Sequence, residues 1–345
     1  MKLIESGGYS KVFRTDDGYA IKIEDPKMAK QNRLSNEASI LKEIQGPGIP
    51  EIYEYWTEEG KDMIKMELLG DDIEVLCRKL GGGLGYQSTI MFGIQALERL
   101  EYIHSKGVIH RDVKDTNFVI GIKDPSVIYL IDFGLSEVID KKSLNKHYWE
   151  CKNFAGNMLF AAKESHSNGS IISKKNDIES LLYLMLYLYQ RKKITPMYPC
   201  LNNIDSKVFP WGKDFKEERD ELHLKLFELK NDFDFIEITS DFPDEFREFM
   251  NYIFNLQYYQ APDMKFLKNC LKECLRVKNY ELDYSQFDWI KKKKPRVKSK
   301  TIKKAPSHSM KLRGPKAKRL AKFEEKRNVK DRLRGRIDPN NLWEL

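Results

Sequence analysis

The run DIESLLYLMLYLY (177–189) is apolar on nearly every face once past its first residues. A helix of that kind has no side to turn to water, so other elements must surround it. A chain that contains it needs a lobe large enough to wrap a central helix. With 345 residues, 41% hydrophobic and 12% aromatic, this chain can bury such a core. Helical periodicity recurs on either side of the run. Ile90, Ile94, Leu97 and Leu100 form one stripe leading to His104, and Phe246, Phe249, Met250, Ile253 and Phe254 form another.

The first 66 residues read differently. KVFRTDDGYAIKI has two β-rich runs around Asp17-Gly18, a strong hairpin signal. A helical pattern from Lys27 to Ile44 carries Leu34, Ala38, Leu41 and Ile44 on one stripe, and further strands follow in QGPGIPEIYEYW and DMIKMEL. Within the helical region, NFVIG and VIYLIDFG are short β-rich interruptions, and GGGLG (81–85) reads as a flexible connector. The expectation is an α+β chain with a small β-rich lobe and a larger, mainly helical one.

Charge divides the chain again. Residues 291–345 hold 21 Lys+Arg and 5 Asp+Glu, a net of +16, which leaves residues 1–290 at −8. An acidic body therefore carries a basic tail that begins at KKKKPRVKSK. Cys77, Cys151, Cys200, Cys270 and Cys274 are odd in number and scattered, as expected of reduced thiols. Cys270 and Cys274 lie four apart on a helical pattern with no nearby His or Cys pair, so they read as core rather than as metal ligands. No apolar run approaches a bilayer span, and Met1–Glu5 lacks a signal-peptide core. The expected location is intracellular, in cytoplasm, nucleus or both, with cytoskeletal association as one use of the tail.

The chemistry concentrates in VIHRDVKDTNFVIG and YLIDFGLSE. Each residue alone has an ordinary reading: Lys22 as a solvated strand lysine, Glu37 as a helix-surface charge, Asn117 as a local cap, Asp132 as a turn aspartate. In joint order they do not. Lys22 on an early strand, Glu37 on a helix, then His110, Arg111, Asp112, Lys114 and Asn117, then Asp132-Phe133-Gly134, resemble the protein-kinase signature. The resemblance implies phosphoryl transfer from ATP with Mg2+. Lys22 would hold the α- and β-phosphates, and Glu37 would pair with it. Asp112 would orient or deprotonate the attacking hydroxyl, and Lys114 would neutralise the moving phosphoryl group, as in serine/threonine rather than tyrosine kinases. Asn117 and Asp132 would be the metal ligands. His110 and Arg111 would orient the loop.

A narrower resemblance, to the casein kinase I family, covers residues 3–290. It is carried by GPGIPEIYEYW, MELLG (66–70), LEYIHSKGVIHRDVK, KNFAGNMLFAA (152–162), FPW (209–211), FPDEF, APDMKFLKNCL and QFDW (286–289). It implies a bilobal kinase domain over 1–290, with an N-lobe of about 1–66, a hinge at 67–70 and a C-lobe at 71–290. IESGGYSKVF (4–13) becomes the glycine-rich ATP lid, with Gly7 and Gly8 retained and Glu5 and Ser10 where glycines usually stand. Ile4, Val12 and Ala20 would cover the base, Met66 would be the gatekeeper, and the backbone of Glu67 and Leu69 would bond adenine. Asp177 would be the buried helix aspartate that bonds to the loop of Asp112. Three further positions depart from the family: Asn157 for a threonine, Leu159 for an arginine that contributes an anion site, and Asp115 for a proline, the last expected to matter little.

The expected function is thus a monomeric serine/threonine kinase acting on protein hydroxyls. The alternative is a pseudokinase or scaffold docking through its basic tail; retention of Lys22, Asp112 and Asp132 weighs against it. For residues 291–345 the expectation is a disordered tail or a helix on an anionic partner such as a microtubule, nucleic acid or an acidic protein. Phe323 and Trp343 are its only aromatics, which does not favour base stacking.

Overall fold

The structure is a computed structural model that describes residues 1–7, 10–24, 33–139, 148–150, 154–167, 171–195 and 204–290, with backbone only at 148–150 and 171. Gly8, the start of the Lys27–Ile44 pattern, Cys151, Cys200 and the tail 291–345 lie outside the described residues.

The first lobe is one antiparallel sheet with a helix against it. Strands β1 (Lys2–Ser6), β2 (Ser10–Arg14), β3 (Tyr19–Glu24), β4 (Ile52–Glu58) and β5 (Lys61–Glu67) lie in the order β1-β2-β3-β5-β4. The β2–β3 hairpin turns at Asp17-Gly18, where Gly18 takes φ +87°. The two-residue period of β3 turns Ala20, Lys22 and Glu24 inward, placing a lysine on the same face as core side chains. Helix α1 (Arg33–Glu43) packs with Leu34, Ala38 and Leu41 fully buried, and Ile44 continues the stripe. Burying each leucine or isoleucine contributes about 1.5–3 kcal/mol, enough to fix which face of α1 meets the sheet. That orientation carries Glu37 inward as well.

The second lobe is mainly helical: α2 (Ile73–Lys79), α3 (Tyr86–Ser105), α4 (Lys174–Ile194), α5 (Asp205–Val208), α6 (Arg219–Asn231), α7 (Asp244–Asn255) and α8 (Met264–Val277). Helix α4 contains the apolar run and is surrounded as its composition requires, with every residue from Ile178 to Leu188 buried. The stripe of α3 faces it, with Ile90, Ile94, Leu97 and Leu100 all at 0% exposure. Cys270 and Cys274 on α8 are core thiols, which burial pushes up to about 11 and about 12. Among the described residues no three His, Cys, Asp or Glu side chains gather into a metal site.

Short strands set into this lobe are β6 (Val108–Ile109), β7 (Phe118–Ile120), β8 (Ile128–Leu130) and β9 (Glu137–Val138), paired β6–β9 and β7–β8. β10 (Tyr148–Glu150) pairs with β11 (Ile171–Ser173).

The GGGLG connector differs from expectation. Leu84 is fully buried, its N–H bonds to the Leu188 carbonyl at 3.0 Å, and a Cβ on Gly83 would collide with that carbonyl and with the backbone of Lys192. Gly83 permits close packing on α4, so this part of the connector is fixed rather than flexible.

Candidate active site

Lys22 and Glu37 reach the same point from β3 and α1. Lys22 Nζ lies 2.6 Å from Glu37 Oε2 and 2.8 Å from Asp132 Oδ1. Burial acts to lower the lysine, but the Asp132 and Glu37 carboxylates outweigh it and push Lys22 well above its ordinary range. Burial raises the Glu37 carboxyl, with Lys22 opposing. Asp132 would also be raised by burial, yet Lys22, helped by Lys114 and His110, holds it at about 2. A fixed ammonium and an obligate carboxylate therefore face one space.

Asp132 opens the one-turn helix Phe133–Leu135 in the left-handed region, at φ 66°, and Phe133 is fully buried against the His110 ring. An aspartate tolerates this conformation better than most residues. With Phe133 buried, the neighbouring Asp132 carboxylate faces Lys22.

The loop at 110–114 is held from α4. Asp177, 1% exposed, accepts from His104 Nε2 and the His110 N–H, both at 2.8 Å, and from the Arg111 N–H at 2.9 Å. Arg111 has φ 69°, a strained conformation that the Asp177 bond supports. His110 Nε2 lies 3.0 Å from the Ile131 carbonyl, tying the loop to the strand end before Asp132. At Asp112 the carboxylate oxygens have different surroundings. Oδ2 meets Lys114 Nζ at 2.6 Å and Asn117 Nδ2 at 3.1 Å. Oδ1 is buried with no hydrogen-bond partner among the described residues. Such an atom is costly to leave unpaired, and the residue that carries it borders the cavity described next. Asn117 Nδ2 also donates to the Asp112 carbonyl at 2.7 Å, which leaves its Oδ1 as the donor atom for a cation.

These groups line one cavity of about 600 Å³ between the sheet and the helical lobe. Ile4, Gly7, Val12, Ala20, Lys22, Glu37, Met66, Glu67, Leu69, Asp112, Lys114, Asn117 and Asp132 all reach its wall. Of the residues expected from sequence at this place, Gly8 alone lies outside the described ones. The Gly7 N–H lies 2.9 Å from the Ser10 carbonyl. The Glu67 N–H is committed to the Glu51 carbonyl, so the carbonyl of Glu67 is the group it could offer a base. The 67–70 segment is pinned by the Gly70 N–H to the Ile120 carbonyl at 2.8 Å. Ile131, Val119 and Asp72 also line the cavity and were not anticipated. Asp72 caps α2 through the Val75 N–H, and an aspartate just before a helical run was the available signal.

The departures have definite geometries. Asn157 does not bridge Asp112 and Lys114 through its oxygen; Oδ1 accepts from the N–H groups of Leu159 and Phe160 at 2.8 and 3.2 Å. Leu159 packs against the core. At Asp115, burial and the adjacent Glu74 push the carboxyl up to about 7, while Glu74 pairs with Arg191 of α4. Glu5 lines the cavity mouth, its carboxyl raised by desolvation against the opposing charge of Lys22.

A family model described as protein kinase domain matches residues 1–272.

Proposed function

This chain belongs to the protein kinase family, and from that premise we propose that it is a magnesium-dependent serine/threonine kinase of casein kinase I type acting on protein hydroxyls. The observation that carries the proposal is Asp112, with its unpartnered Oδ1, lining the same cavity as the Lys22–Glu37–Asp132 cluster.

The residues present fit nucleotide and metal. Asn117 Oδ1 and the Asp132 carboxylate are hard oxygen donors, suited to a cation that draws its other ligands from phosphate and water. Mg2+ bound there would neutralise charge on the phosphates of ATP. Lys22, kept cationic and extended by Glu37, holds phosphate oxygens. Asp112 Oδ1 accepts the proton of the substrate hydroxyl while Lys114 and Asn117 fix the carboxylate through Oδ2. Lys114, beside that oxygen, offers its charge to the group in transfer. The serine/threonine assignment is supported by lysine two positions after Asp112, and the casein kinase I type by the KNFAGNMLFAA, FPW and QFDW motifs. Since Leu159 cannot make the charge-assisted bonds of an arginine, a priming phosphate on the substrate should bring little benefit.

Transfer of labelled phosphate from ATP to dephosphorylated casein tests this. Asp112→Asn should lower the rate about 10²–10⁴-fold, the scale of a positioned general base. Equal background signal from both proteins would sink the enzyme and favour a scaffold.

A further inference from the structure

Beyond Asp112, the turn at 156–161 is held by a side chain from a distant helix. Gly156, at φ +113°, lies so close to the Arg111 carbonyl that a Cβ would collide with it, so the turn starts packed against the 110–114 loop. The Ala161 N–H donates to the Asn157 carbonyl at 2.8 Å, and Trp211 Nε1 donates to the Leu159 carbonyl at 2.9 Å. Lys230 on α6 takes two more carbonyls, Met158 at 2.8 Å and Ala161 at 2.5 Å.

Lys230 is 2% exposed, and its third contact is His166 Nε2 at 3.1 Å. As an ammonium, Lys230 spends all three of its N–H donors on these contacts, with His166 Nε2 accepting the third. His166 Nδ1 in turn meets His223 Nδ1 at 3.0 Å. Burial and the Lys230 charge keep His166 neutral, as this arrangement needs. The faces of Tyr183 and Trp211 lie 5.5 and 5.6 Å from the ammonium, and Phe154 stacks on the His166 ring. Burial pulls Lys230 down to about 7 against the field of Glu179 on α4, and Arg219 and Asp220 act on His223. Burying a lysine is expensive, and an apolar side chain would fill the space more cheaply. The two carbonyls it holds give the charge a purpose.

We propose that Lys230 is a positioning residue for the protein substrate: by gripping the Met158 and Ala161 carbonyls, with His166 and His223 fixing its third bond, it keeps the 156–161 turn seated beside Asp112. This rests on the kinase reading, because the turn borders the cavity through Asn157 and Met158. Met158 is 41% exposed, where a polypeptide offering its hydroxyl to Asp112 would lie.

The test compares the full chain with Lys230→Met and His223→Phe, by amide hydrogen exchange at residues 159–161 and by kinetics on casein and ATP. In Lys230→Met, exchange there should rise and kcat/KM for casein should fall, each by roughly tenfold or more, with KM for ATP within about twofold. His223→Phe should shift the same readings less, and it serves if Lys230→Met does not fold. Unchanged exchange and casein kinetics in the folded variants overturn the proposal. So does an equal loss of ATP affinity, which would make Lys230 a general support of the fold. A wild type that transfers no phosphate, with exchange still responding to Lys230→Met, removes the kinase reading and supports the positioning of the turn.

Discussion

Asp112, Asn157 and His166 are each decided by what their individual atoms meet. The types at 22, 37, 112, 114, 117 and 132 were legible in the sequence because their order and spacing are restrictive. The free oxygen of Asp112 was not, since it depends on Lys114 and Asn117 both choosing Oδ2. Asn157 was legible as a change of chemistry but not as a cap on its own turn. At Glu5 we expect Glu5→Gly to tighten ATP about fivefold, the value of removing one like charge at ~1 kcal/mol near water, and Ser10→Gly to have a smaller effect. A calorimetric titration in which neither change tightens ATP would make both departures neutral. His166 sets an acid limit. It is held at about 2 in the native state, first by burial and then by Lys230 and His223, whereas an unfolded histidine titrates near 6.5. Between those values the unfolded chain binds a proton that the native one does not, so stability is lost as pH falls below about 6.5. The slope for one group is up to ~1.4 kcal/mol per pH unit. Urea unfolding at pH 7.5, 6.5 and 5.5 should show it, and His166→Gln should be less steep by that amount.

Among the elements, the helices followed most directly from sequence. The stripes of α1, α3 and α7 repeat at the helical period, and the all-round apolar run of α4 could only be central. The first turns of α4 are different. Lys175, Asn176, Asp177 and Glu179 are polar and buried, because α4 anchors the 110–114 loop through Asp177 and receives the Lys163 N–H on Glu179 at 2.9 Å. Local pattern assigns such residues to solvent; only contact with loops distant in sequence pulls them inside. The GGGLG connector is the matching case for the backbone. Gly83→Ala should destabilise by about 1–3 kcal/mol, the cost of overpacking against a main-chain carbonyl that cannot move without α4. Chemical denaturation checks this, and Gly81→Ala is no substitute as a control for packing, since Gly81 has open space but φ +78°.

At the scale of the whole molecule, charge is segregated, with −8 over residues 1–290 and +16 over 291–345. A segment of that density attracts polyanions, and its binding should weaken steeply with salt as counterions screen it. We expect the full chain, but not a chain ending at Ile290, to co-sediment with microtubules at low ionic strength and to be released as salt rises. Identical binding by the two would remove any role for the tail. Substrate choice belongs to this scale as well. Peptide libraries with and without a priming phosphate should be phosphorylated equally by the wild type, and a gain from priming in Leu159→Arg alone would tie that preference to the lost cation.

The amino-acid sequence by itself determined the family, the β-then-α order of the lobes, the buried stripes and the identity of the charged residues around the cavity. Those properties reside in residue type, period and spacing, which act locally along a chain. Tertiary structure decided which oxygen of Asp112 remains free, that Asn157 caps rather than bridges, and that Lys230 holds the turn beside the site. Each of these joins polar atoms from segments far apart in sequence. Their pairing is set by the energetic penalty on unpaired buried groups, a constraint that exists only once the core has closed around them.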